Sequence, residues 1–129
     1  MMKPILLFIY GAGGNRKVWE NQTKFFSNAI AIDLPGHGTG AGKKTIGAYV
    51  EKVKKFCDEK SLKNIVMVGH SIGGAIVQKF ALDHPEYLKA IVLVSTGAKL
   101  KVAPIIFETI KKNYAQATEL IAEYAFSNK

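Results

Sequence analysis

The sequence predicts an α/β protein, a predominantly parallel sheet with helices on both faces in three layers. Four apolar runs of strand length, residues 4–10, 29–33, 64–68 and 90–95, are continuous rather than alternating. Strands covered on both faces look like this, whereas a strand with one wet face alternates. Stretches of helical periodicity separate the runs, which makes βαβ units with right-handed crossovers. At 129 residues the chain is the size of one domain and can bury a core.

The first run, ending at Tyr10, leads into the glycine-rich segment Gly11-Ala12-Gly13-Gly14-Asn15-Arg16, and a short helix is expected over 18–26. The second closes on Asp33-Leu34-Pro35-Gly36-His37-Gly38, where aspartate followed by Pro-Gly signals a turn. A helix over 45–59 carries Tyr49, Val50, Val53, Phe56 and Cys57 as one apolar stripe. The third run meets Gly69-His70-Ser71-Ile72-Gly73-Gly74 and a helix over 72–83, with Pro85 just beyond. After the fourth run, 96–102 reads as a loop. Pro104 can open a helix with Ile105, Ile106, Thr109 and Ile110 on one face. A last helix is expected from 114 to about 126, with Ala117, Leu120, Ile121, Tyr124 and Ala125 on its apolar side. The organisation is thus a core over 1–98 and a helical segment over 99–129. That segment either covers the small sheet or opens a cap or lid. The cap is preferred, because a sheet ending at Ser95 leaves an apolar edge strand with no charge in it.

The formal net charge of +8 comes from scattered lysines with a single arginine, Arg16. Nucleic-acid readers lean on arginine at base edges and on basic stripes, so the excess reads as a solvated surface and no nucleic-acid partner is expected. The one cysteine, Cys57, excludes an internal disulfide and falls on the inner side of its helix. The apolar stretch near the N-terminus is too short for a secretory leader. No segment has the ~20 apolar residues of a membrane span. A cytoplasmic protein is expected.

Ser71 is the strongest chemical candidate. A serine in G-x-S-x-G, with an apolar strand before it and a helix after it, is a nucleophile elbow. Such a serine can also cap the helix it opens. The residue after it, Ile72, offers a backbone N–H to a developing oxyanion, and a second donor is expected from the loop after the first strand. Two alternatives fail on spacing. Gly11-x-Gly13 has Arg16 where a dinucleotide fingerprint needs glycine, and the run from Gly36 to Lys44 lacks the serine or threonine of a phosphate loop. No cofactor is expected, and no residue set has metal-ligand spacing.

A serine nucleophile needs a histidine base and an orienting acid, which in this arrangement follow it in the chain. Asp33 and His37 precede Ser71 and read as loop-shaping residues. His70 adjoins the nucleophile and reads as packing around the elbow. His84 follows, but thirteen helical residues put it roughly 20 Å away, beyond the reach of a general base.

These landmarks resemble the α/β-hydrolase-fold serine hydrolases, a superfamily of esterases, lipases and small-molecule hydrolases, over about residues 3–97. Tyr10-Gly11-Ala12-Gly13-Gly14 resembles the H-G-x-G-G oxyanion loop, with tyrosine in place of the usual histidine. Asp33-Leu34-Pro35-Gly36-His37-Gly38 resembles the D-x-x-G-x-G segment, and Gly69 to Gly74 resembles the elbow. The resemblance implies a partial α/β-hydrolase fold, with the second run at one edge, then the first, third and fourth. It implies Ser71 as nucleophile and the Ala12 and Ile72 N–H groups as oxyanion donors. It implies a small-molecule ester or related acyl substrate, and a triad acid and histidine outside this chain. The partner is then the remainder of the same polypeptide or a second copy. A different class of function is also open, a catalytically inactive hydrolase-like module acting through interaction or structure.

Overall fold

In a computed structural model, residues 3–37, 42–99 and 104–125 are described. They form two compact units divided after Lys99. The first holds a four-stranded parallel sheet made of β1 (Ile5–Ile9), β2 (Ala29–Ala31), β3 (Ile65–His70) and β4 (Leu88–Val94), in the order β2-β1-β3-β4. This is the predicted fold class and strand order.

The two inner strands carry the core. Leu7, Phe8, Ile9 and Tyr10 are all buried, as are Met67 and Val68. Successive strand residues point to opposite faces, so both faces of β1 and β3 are covered, as their unbroken apolar runs require. Each fully buried aliphatic side chain contributes about 1.5–3 kcal/mol relative to exposure.

Asn15 accepts a bond from the Lys17 amide and caps a 3-10 turn over Arg16–Trp19, which continues into α1 (Glu20–Phe25). Trp19 packs on Phe8, with ring centroids 4.8 Å apart. Helix α2 (Ile46–Glu59) starts under a side-chain cap, the Ala48 amide donating to Thr45 Oγ1 at 3.1 Å, an arrangement worth about 1 kcal/mol. It ends in a Schellman motif without glycine. Ser61 takes φ 53°, Leu62 N donates to Cys57 O and Ser61 N to Asp58 O. Val50, Val53 and Cys57 form the buried stripe, and burial pushes the Cys57 thiol up to about 11. Helix α3 (Ile72–Asp83) packs on β3 and β4, and α2 packs on α3.

Several predicted boundaries move. β3 runs two residues further, through Gly69 and His70, because its ladder with β4 continues to the pair His70–Val94. β4 starts two residues earlier and so contains Lys89, which removes the expectation of an uncharged strand. Ile91, Val92, Leu93 and Val94 are each 37–44% exposed, so β4 leaves apolar side chains partly uncovered on both faces and, among the described residues, has no strand on its outer edge. The second unit consists of α4 (Pro104–Lys112) and α5 (Tyr114–Ala125), with Ala117 buried. The expected last residue of α5, Phe126, lies outside the described residues. Among the described residues no helix is long and apolar enough to cross a membrane.

Candidate active site

Ser71 follows the last residue of β3 and precedes the first of α3. Its backbone has φ 54° and ψ −118°, a sparsely populated conformation that costs of order 1–3 kcal/mol and persists only where the surroundings impose it. Here they do. The Ser71 amide donates to Val94 O at 3.1 Å, and the Ser71 carbonyl accepts from Gly74 N at 2.9 Å. Gly73 lets the helix start this close to the sheet, since a Cβ there would lie 2.4 Å from Ile9 O and 2.6 Å from Tyr10 O. Although Ser71 occupies the cap position of α3, its side chain makes no capping bond. The capping role read from the sequence is not realised, and the half-buried hydroxyl makes no hydrogen bond among the described residues.

The glycine-rich loop runs past this residue. A side chain starting at Gly11 would come within 3.1 Å of both Ser71 Cβ and His70 Nδ1. The loop closes as a turn, with Gly14 N donating to Gly11 O at 3.1 Å and Gly13 at φ 79°, the type II pattern that needs glycine at its third position. Ala12 sits exposed at the second position of that turn, and its amide has no protein acceptor among the described residues. Ile72 is the first residue of α3, so its amide is one of the helix's orphan donors. The fold thus gathers Ser71, the Gly11–Gly14 turn and the start of α3 at the carboxyl end of the two inner strands.

Tyr10, where the resembling loops carry histidine, has its hydroxyl buried and accepting from the Leu34 amide at 2.6 Å. Burial raises its pKa, against the opposing effect of that hydrogen bond. The ring of His37 meets Tyr10 edge-on at 5.3 Å and Tyr49 at 6.3 Å. Tyr10 therefore ties the glycine-rich loop to the segment after β2, a tertiary role that no sequence motif announces. A cavity of about 220 Å³ opens between Leu34, His37, Tyr49 and Ile46 on one side and Ile72 and Ile76 on the other, with Lys43 and Lys44 also lining it. A larger cavity, about 460 Å³, lies along Arg16, Lys17 and the β2 edge and includes none of the predicted site residues.

The remaining candidates are committed elsewhere. The Asp33 carboxylate accepts from the Arg16 amide at 2.9 Å and pairs with Arg16 Nε at 3.4 Å, so it faces an arginine rather than a histidine. His84 closes the far end of α3, where Nε2 lies 3.3 Å from Glu51 Oε1 and the ring packs against Phe80 and Tyr87. No group of three His, Cys, Asp or Glu among the described residues is placed to hold a metal ion. Sequence reading missed Thr96. Its hydroxyl donates to the Ser71 carbonyl at 2.7 Å, and its place directly after the fourth apolar run was the one available signal.

Known proteins resemble this chain over nearly its whole length. The family profile described as alpha/beta hydrolase fold matches residues 4–128. A solved thermophilic esterase is 34% identical with a TM-score of 0.81, over 98% of this chain and 50% of its own. The solved Est816, described as an N-acyl homoserine lactone degrading enzyme, is 28% identical with a TM-score of 0.79, over 91% of this chain and 48% of its own. Among curated proteins, the dihydrolipoyllysine-residue acetyltransferase component of the acetoin cleaving system of Cupriavidus necator is 33% identical over 96 residues. That match covers 70% of this chain and 26% of the relative. An uncharacterised protein of Mycobacterium bovis is 29% identical over 110 residues, 81% of this chain and 32% of the relative. The chain therefore spans at most about a third of these curated relatives and about half of these solved structures.

Proposed function

From its membership of the α/β-hydrolase fold family, to which this chain belongs, we propose that the intact polypeptide is a serine hydrolase of carboxylic esters or related acyl compounds. Ser71 is its nucleophile. The observation that carries the reading is the strained Ser71 backbone, with a hydroxyl that caps no helix amide, set beside the Gly11–Gly14 turn. The 34% identity to a thermophilic esterase supports an ester rather than another acyl partner.

In this mechanism Ser71 Oγ bonds to the acyl carbon as its proton passes to a histidine. The carbonyl π electrons move to oxygen, and the oxyanion is held by the Ala12 and Ile72 N–H groups. The carbon–oxygen bond to the leaving alkoxide then breaks, and the histidine returns the proton to it. Water repeats the sequence on the acyl-enzyme and frees the acid. The histidine and its acid come from outside residues 1–129, since His84 is held at the far end of α3 and Asp33 by Arg16. The α4–α5 unit is the start of a cap or lid segment, and the rest of the polypeptide covers β4.

Labelling of the intact polypeptide with a serine-reactive fluorophosphonate tests this reading. Labelling and turnover of p-nitrophenyl acetate are expected to vanish in Ser71→Ala. Equal labelling of both forms would show that another residue is the nucleophile.

The second reading, an inactive module that binds a partner, is favoured by one observation: β4 exposes apolar side chains on both faces. An intact mass matching these 129 residues in the native sample, with no second polypeptide and no labelling, would select it.

A further inference from the structure

We propose that Thr96 is a positioning residue for the Ser71 nucleophile, acting through its side-chain hydroxyl; the inference rests on the reading of Ser71 given above. The end of β4 grips the serine residue from both sides. Val94 O accepts from the Ser71 amide at 3.1 Å, and two residues later Thr96 Oγ1 donates to the Ser71 carbonyl at 2.7 Å. Between them Ser95 takes φ 45°, which turns the chain sharply enough to bring both groups onto one residue. The amide and carbonyl that flank a φ of 54° and ψ of −118° are thereby held by the chain at the end of a neighbouring strand as well as by the Gly74 bond within the elbow.

The surrounding residues are shaped to admit this contact. The Thr96 side chain fills the place where a Cβ at Gly74 would stand, 2.3 Å from Cγ2 and 2.5 Å from Oγ1. The second glycine of the Gly73-Gly74 pair is thus explained by the threonine lying against it. One turn on, Gln78 Nε2 donates both to Gly74 O at 3.2 Å and to Gly97 O at 3.1 Å. Thr96 and Gln78 together stitch the first turns of α3 to the exit of β4. A nucleophile must hold its attack geometry closely, and a displacement of about 1 Å costs on the order of 100-fold in rate. Removing the hydroxyl leaves the Ser71 carbonyl with its Gly74 bond but frees the peptide to tilt.

The test uses the intact polypeptide and p-nitrophenyl acetate. Thr96→Val keeps the volume and removes the donor, whereas Thr96→Ser keeps the donor and removes the methyl. For Thr96→Val, kcat is expected to fall about 10- to 100-fold with KM nearly unchanged. Thr96→Ser is expected to restore most of kcat, and the rate of fluorophosphonate labelling should follow kcat across the set. Cooperative unfolding above the assay temperature establishes that the loss is not unfolding, and Thr96→Ala replaces the valine variant if that one melts too low. Wild-type kcat in the hydroxyl-free variant, or an equal loss in Thr96→Ser, overturns the proposal. Ser71→Ala separates the two readings: if it retains turnover, the nucleophile assignment fails and this inference with it. If it is inactive while Thr96→Val is unimpaired, only the positioning role is lost.

Discussion

Replacing Gly73 by alanine isolates how tightly the start of α3 is pressed onto the sheet. The added Cβ would sit 2.4 Å from Ile9 O, 2.6 Å from Tyr10 O and 2.9 Å from Ile9 C. All three are backbone atoms of the strand end that opens the glycine-rich loop, so no side chain can swing aside. Relief requires the helix start and the end of β1 to part by about 1 Å, an overpacking cost of about 1–3 kcal/mol. Against it stands the gain from replacing glycine by alanine in a helix, at most about 1 kcal/mol. The expected net is a destabilisation of about 1–2 kcal/mol, a fall of roughly 5–10 °C in Tm for a domain of this size. Gly47 supplies the matched control. It is likewise the second residue of its helix, α2, and a Cβ there meets nothing within 4 Å. Gly47→Ala should therefore be neutral or stabilise by up to about 1 kcal/mol. Urea unfolding with an unchanged slope measures both variants. Equal stabilities for the two would refute the claimed closeness of helix to sheet.

Two further outcomes follow from other parts of the molecule. The Asp58 carboxylate accepts from Lys54 Nζ at 2.7 Å and from the Tyr87 hydroxyl, and these bonds hold its pKa below the usual carboxylate value. A depressed carboxyl contributes its stability fully above the ordinary range and loses it as pH falls through the folded value. Asp58→Asn should therefore be less stable than the parent near neutrality, with the gap closing on acidification; a gap independent of pH would sink the assignment. The open edge and faces of β4 should associate when they lack cover. Light scattering on the 129-residue chain alone is expected to give a mass that rises with concentration, and a constant monomer mass would contradict this.

The sheet was legible because residues 4–10 and 65–68 are apolar without interruption, the mark of strands covered on both faces, whereas its strand order followed only from the resemblance to the α/β-hydrolase fold. The Ser71 elbow was legible because its chemistry is local, a serine between glycines at a strand–helix junction. The boundaries were less so. Gly69 and His70 break an apolar run without breaking a backbone ladder, and Lys89 interrupts β4 only in its side chain. The contacts that lay beyond sequence reading are tertiary. Thr96 on the Ser71 carbonyl spans 25 residues and Tyr10 on the Leu34 amide spans 24. Nothing in the residues between records which hydroxyl will meet which backbone group. Asp33 read as loop-shaping, but the partner through which it acts, Arg16, lies 17 residues earlier in a different loop and was not legible.

The strand order also governs how this chain comes into being on a ribosome. β1 is made first, yet it lies inside the sheet between β2 and β3, and its partner Ile65 emerges sixty residues after Ile5. At about 5–20 residues per second of synthesis, that interval lasts roughly 3–12 s. Throughout it, the described strand on hand for β1 is the three-residue β2, a partnership too short to hold alone. The segment Leu7-Phe8-Ile9-Tyr10, entirely buried at the end, spends those seconds as an apolar extended stretch in the open. Parallel pairings of this separation form slowly and expose the chain to aggregation meanwhile. The same residues that anchor the finished core are therefore the ones whose exposure favours aggregation of the nascent chain until β3 arrives.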